Sequence, residues 1–112
     1  MWEIEAIVRS VIWQLVSKDY EGLIKRCPRS QYTADEIRIA VEQYGRTLVM
    51  PPASGYENLV RTYEVQGAEH PTWEVEAPLW TSEEGRSDLE IWMRVIYGFG
   101  EPTILVRAPF VP

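Results

Sequence analysis

Pro78-Leu-Trp-Thr-Ser-Glu-Glu-Gly-Arg-Ser-Asp-Leu89 lies between two runs in which apolar and polar residues alternate. A period of two belongs to strands that bury one face, so this stretch reads as the mouth of a β-hairpin. The arms are Trp73 to Trp80 and Asp88 to Tyr97. Pairing Leu79 with Leu89 sets Ala77 opposite Ile91 and Val75 opposite Met93, all on one face. The other face then carries Trp80 beside Asp88, Glu76 beside Trp92 and Glu74 beside Arg94. Moving the pairing by two residues would set Glu76 against Glu90, a like-charge pair that costs stability. A slip by one would turn the apolar set outward. The tip is also richer than a turn requires, since it combines a Trp, acids, an Arg and a Gly.

Further along, Gly98-Phe-Gly-Glu101 reads as a second turn and Thr103 to Val111 as the last strand. Val95, Met93, Ile91 and Leu89 then meet Ile104, Val106, Ala108 and Phe110, and Trp92 falls beside Arg107 with cation–π geometry expected. One face of the sheet is therefore apolar. The other presents Trp80, Trp92, Glu74, Glu76, Arg94, Leu105 and Arg107. A proline lacks the amide that a central ladder position needs, so Pro78 marks a bulge or bend and Pro109 places the last strand on an edge. Upstream, Thr47 to Met50 is a short strand halted by Pro51-Pro52-Ala-Ser-Gly55. Residues 57–66 form another strand, closed by Gly67 and His70-Pro71.

The first half changes to a period of 3.6. Ile4, Ile7, Val8, Val11, Ile12, Leu15 and Val16 make a wide helical stripe of the kind that lies across a sheet. Asp19 caps a short second helix that ends at Arg26. Its terminal Lys25 and Arg26 suit the negative end of the helix dipole. Thr33-Ala-Asp-Glu36 is a capping box, with Tyr32 and Ile37 in the staple positions, and Gly45 supplies the stop. The third helix is placed at 34–44. The whole is α+β: N-terminal helices packed on a curved antiparallel meander, in one domain spanning 1–112.

The net charge of −6 is uneven. Residues 1–56 are neutral, whereas residues 57–101 hold ten acids against three arginines. An acidic second half repels phosphate backbones and favours basic partners, so no nucleic-acid partner is expected. Cys27 is the only cysteine, which excludes an internal disulfide and suits a reducing compartment. The first residues are acidic where a signal peptide needs bases, and no apolar run approaches a membrane span. A cytoplasmic protein without a membrane partner is expected.

The order of three helices followed by a bent meander resembles the cystatin-like, NTF2-like α+β cone. The run from Pro78 to Leu89, with Asp35-Glu-Ile and Val41-Glu-Gln-Tyr-Gly45, is similar to a family of small uncharacterised bacterial proteins. The resemblance implies a sheet whose concave face receives the first helix. Proteins of that shape include isomerases, dehydratases, immunity proteins and dimerisation modules.

Candidate chemistry is sparse. His70 is the only histidine and falls in a turn before a proline. Cys27 has no neighbouring histidine, although Lys25, Arg26 and Arg29 could lower its pKa. Glu83, Glu84 and Asp88 match no calcium loop. Gly85-Arg-Ser precedes no helix and so makes no phosphate cradle. The inward strand positions are all apolar, as in a filled core. No catalytic residue, metal or cofactor is assigned. The expected function is a non-catalytic interaction module that binds itself as a homodimer or binds another protein. Trp80 and Trp92 would anchor it, Glu83, Glu84, Arg86 and Asp88 orient it, and Arg94 and Arg107 flank it. Toxin neutralisation by the acidic face is one version. The alternative is a small NTF2-like enzyme or small-molecule binder using the cone cavity, with Tyr20, Tyr44, Tyr63 or Glu64 reaching inward.

Overall fold

The computed structural model describes residues 2–98 and 100–107. Three helices come first: α1 (Trp2–Val16), α2 (Tyr20–Arg26) and α3 (Ala34–Tyr44). They pack against a curled antiparallel sheet of β1 (Leu48–Val49), β2 (Arg61–Glu64), β3 (Thr72–Thr81), β4 (Gly85–Ile96) and β5 (Thr103–Val106). A short α4 (Ala53–Asn58) separates β1 from β2.

Local chemistry sets the helix ends. Asp19 caps α2 by accepting the Gly22 amide at 3.1 Å. The capping box on α3 is complete: Thr33 Oγ1 accepts the Glu36 amide and the Glu36 carboxylate accepts the Thr33 amide. Gly45 then turns left-handed at φ 75, which glycine adopts without a Cβ clash, and the helix stops.

In the sheet, β3 is central. β4 runs along one side of it, with β5 beyond as an edge strand. β1 and β2 share its other side, one at each end. The expected hairpin register holds from Thr72 to Pro78, with Glu74 opposite Arg94, Val75 opposite Met93, Glu76 opposite Trp92 and Ala77 opposite Ile91. Val95 meets Ile104 and Met93 meets Val106, and the Arg107 amide donates to the Trp92 carbonyl at 2.8 Å. The inner face is sealed. Val75, Ala77, Ile91, Met93, Val95 and Val106 are fully buried against Val8, Val11, Ile12 and Leu15 of α1. Each such aliphatic side chain contributes about 1.5–3 kcal/mol on leaving water.

Several expectations need correction. Trp80 does not pair with Asp88: the register shifts between Pro78 and Trp80, and Trp80 faces Arg86. Proline has no amide to give the ladder, and β4 bulges here. Ser87 Oγ donates to the Leu79 carbonyl at 2.8 Å and accepts the Leu89 amide, which satisfies backbone groups the bulge would otherwise strand. The strand expected over 57–66 is confined to 61–64, because Ala53–Asn58 is helical. Pro52 takes the N-cap position without a side-chain bond, in a segment that was expected to be only a breaker. Gly55 permits its close approach to the sheet, since a Cβ there would lie 2.9 Å from Trp80 Cη2. The partners expected at Ala108 and Phe110, and Pro109 itself, lie outside the described residues, as does Phe99 of the second turn.

Candidate functional site

The outer face of the sheet is built from the even-numbered positions of β3 and β4 together with β2. Pairing of β2 with β3 sets Arg61 beside Glu76 and Tyr63 beside Glu74. Arg61 Nε donates to Glu76 at 2.9 Å, and Arg61 Nη2 donates to both oxygens of Glu90 at 3.0 and 3.2 Å. Glu90 is only 6% exposed, and these bonds satisfy its buried oxygens. Trp92 Nε1 supplies a third, at 2.9 Å. Glu90, then Glu76, hold the Arg61 guanidinium above its ordinary pKa.

A second cluster adjoins the first. Glu74 Oε1 receives Arg94 Nε at 2.6 Å and Arg107 Nη1 at 3.1 Å, and Arg94 Nη2 also reaches it. The Arg107 guanidinium, expected beside Trp92, binds the Glu74 carboxylate. Between the charges stand Trp92 and Leu105, half-buried, and Tyr63, which is 52% exposed. Exposed ion pairs of this kind contribute little stability one by one; as a network they fix the side chains in a pattern.

The hairpin tip is occupied differently. Glu83 accepts the Thr47 amide at 2.8 Å and the Thr47 hydroxyl at 2.9 Å, and these bonds hold its carboxyl below the usual range. The Ser82 amide returns a bond to the Thr47 carbonyl. Glu84 accepts from the Tyr44 hydroxyl at 2.9 Å and from Thr81 Oγ1 at 3.2 Å. Tyr44 in turn accepts the Asp88 amide at 3.1 Å. The acids of the tip therefore clamp it to the end of α3 and the start of β1. Arg86 and Asp88 remain exposed, and the Trp80 indole is half-buried on α4.

The predicted site thus divides into two. Trp92, Arg94 and Arg107 gather around Glu74 and Glu90; Trp80, Glu83, Glu84, Arg86 and Asp88 form the far end of the hairpin. Arg61, Tyr63 and Glu90 were missed as members of the outer face. The signal for Arg61 was the register of β2, which a strand drawn from 57 to 66 obscured. The residues considered for an interior cavity do not converge. Tyr63 and Glu64 are exposed on β2, Tyr44 is bonded to the tip, and Tyr20 lies between α1 and α3.

Other candidate groups are accounted for locally. Cys27 is fully buried at the end of α2, and burial raises its thiol pKa while Arg26 lowers it less. His70 sits beside Gly98 near the start of β3. Among the described residues no cluster of His, Cys, Asp or Glu is arranged to hold a metal ion, and no helix is long and apolar enough to cross a membrane.

Residues 12–107 match a domain of unknown function, DUF7668. The chain belongs to that family. No curated protein and no solved structure matches it. The DUF7668 match runs from the middle of α1 past the end of β5, so it takes in both parts of the candidate site.

Proposed function

We propose that this DUF7668 protein is a cytoplasmic, non-catalytic interaction module. It pairs with a second copy or with another protein through the outer face of its sheet. The observation that carries the reading is the composition of that face: Trp92, Leu105 and Tyr63 stand among ion pairs whose geometry is already fixed. Preset side chains lose little entropy on docking, and an aromatic anchor with a charged surround is the pattern of binding hot spots. The filled inner face supports the same reading, because Val75, Ala77, Ile91 and Met93 occupy the space in which a cystatin-like or NTF2-like cone keeps its chemistry. The excess of acids after residue 57 favours a basic partner, and neutralising a bacterial toxin is one such role.

Trp92→Ala tests the proposal. Sedimentation of wild type and variant reads self-association, and capture from the native host reads a separate partner. The variant is expected to stay folded and to lose mass or partner in one of the two assays. If both measurements are unchanged, the face is passive and the reading fails.

A further inference from the structure

The C-terminal end of α1, α3 and β1 enclose a groove of about 350 Å³. Its floor is aliphatic: Leu15 and Val16 from α1, Val41 from α3 and Leu48 from β1. Its rim holds Lys18, Arg38 and Arg46 against a single carboxylate, Glu42. Arg38 is engaged by Glu42 at 2.8 Å and by Asp35 at 3.6 Å. Lys18 and Arg46 form no ion pair among the described residues; Arg46 makes only a long 3.4 Å bond to the Gly45 carbonyl. Two uncommitted cations thus stand beside an aliphatic floor, in the half of the chain whose acids and bases balance. The adjoining cleft adds Asp19, Glu21 and Asp35, which bounds the positive region on that side.

Lys18 supplies an independent observation. It has φ 62 and is the only non-glycine residue with positive φ among those described. The Asp19 amide bonds to the Gln14 carbonyl and the Lys18 amide to the Leu15 carbonyl, so Lys18 fills the left-handed position of a Schellman motif. Glycine is the favoured residue there, and an L side chain adds strain. The negative end of the α1 dipole favours a cation at this point, and the groove gives the same ammonium a second use. Tyr20 completes the rim. Burial first, then the charge of Glu42, raises its pKa, so the hydroxyl keeps its proton and can donate. It has no hydrogen bond to other described residues.

We propose that this groove binds a small carboxylate carried on an apolar body. The head lies between Lys18 and Arg46 with Tyr20 as a third donor, and the body lies along the half-buried Val16 and the exposed edges of Val41 and Leu48. Two free cations beside Glu42 suit a monoanion better than a dianionic phosphate, and the aliphatic floor requires a tail. The site shares no residue with the outer sheet face, so it stands or falls separately from the interaction reading.

Octanoate is the probe, titrated into the intact chain by calorimetry. Octanol provides the same tail without charge, and acetate the same head without a tail. Octanoate is expected to saturate below about 1 mM, with both controls at least tenfold weaker. Lys18→Gly and Arg46→Gln should each weaken octanoate about tenfold, as loss of a charge-assisted bond does. Lys18→Gly should at the same time melt higher than wild type, a gain that separates lost binding from lost folding. Equal binding of octanol, unchanged affinity in both variants, or no saturation by about 10 mM octanoate would each overturn the site. Should Lys18→Gly fail to fold, Arg46→Gln decides alone.

Discussion

At Lys18 the backbone holds φ 62 and closes α1 with two Schellman hydrogen bonds, so the cost of a side chain there is read directly as stability. Replacing it with glycine relieves left-handed strain but adds freedom to the unfolded chain; the net gain expected is about 0.5–1 kcal/mol. Urea denaturation of Lys18→Gly measures it, and a loss of stability would mean that the ammonium makes a folding contact the strain argument omits. Gly55 is the opposite case. Its missing Cβ lets α4 lie on the Trp80 ring, with 2.9 Å between the position a Cβ would take and Trp80 Cη2. Gly55→Ala must push the helix or the indole aside, and a cost of about 1–3 kcal/mol is expected from overpacking. Near-ultraviolet circular dichroism would report the displaced indole. An unchanged spectrum and unchanged stability would show that the contact yields freely.

Among the elements, the hairpin was the easiest to read and its tip the hardest. From Thr72 to Pro78 the register is dictated by side chains: apolar residues share a face and Glu74 meets Arg94, so alternatives are penalised. Beyond Pro78 the same reasoning failed. The bulge is satisfied by Ser87 Oγ and by Tyr44, and the latter lies 44 positions away from Asp88. No local pattern encodes a bond of that range. The tip acids show the same limit: their number was visible, but their attachment to Thr47 and Tyr44 was not. The α3 boundaries were legible because the capping box and Gly45 are local devices. By contrast α4 was hidden, since a turn of Ala, Ser and Gly after two prolines carries no hydrophobic period. These contacts yield a prediction. Tyr44→Phe removes the donor to Glu84 and the acceptor for the Asp88 amide while leaving the ring in place. It should cost about 1–2 kcal/mol and loosen the bulge. Amide exchange at Asp88 should quicken while that of Val75 and Met93 stays slow; uniform behaviour would place the clamp elsewhere.

For the whole molecule, pH divides the stabilising contacts into two sets with opposite signs. Glu83 is held below the ordinary carboxyl range by the Thr47 amide first and the Thr47 hydroxyl second. Its contribution is complete above its unfolded value of about 4.3 and is lost as pH falls through the lower folded value. Cys27 lies on the other side. Burial raises its thiol, so the fold favours the protonated form. That contribution is complete below the unfolded value of about 8.5 and is lost as pH rises toward the folded one. Tyr20 and Tyr56, also raised mainly by burial, extend the loss at still higher pH. Stability should therefore form a plateau between about pH 5 and pH 8 and decline on both flanks. The flanks are separable because the groups sit in different places, one on the hairpin tip and one at the end of α2. In Glu83→Gln the acid flank should become shallower and the alkaline flank keep its slope. Cys27→Ala should flatten the first part of the alkaline decline and leave the acid flank unchanged. Urea midpoints across pH 3 to 10 in the three proteins would test this, and a variant that altered the wrong flank would contradict the assignment of that group. A thiol reagent gives an independent check on the buried half. Cys27 should react with native protein only as fast as the protein opens, and in urea at the ordinary rate of a free thiol.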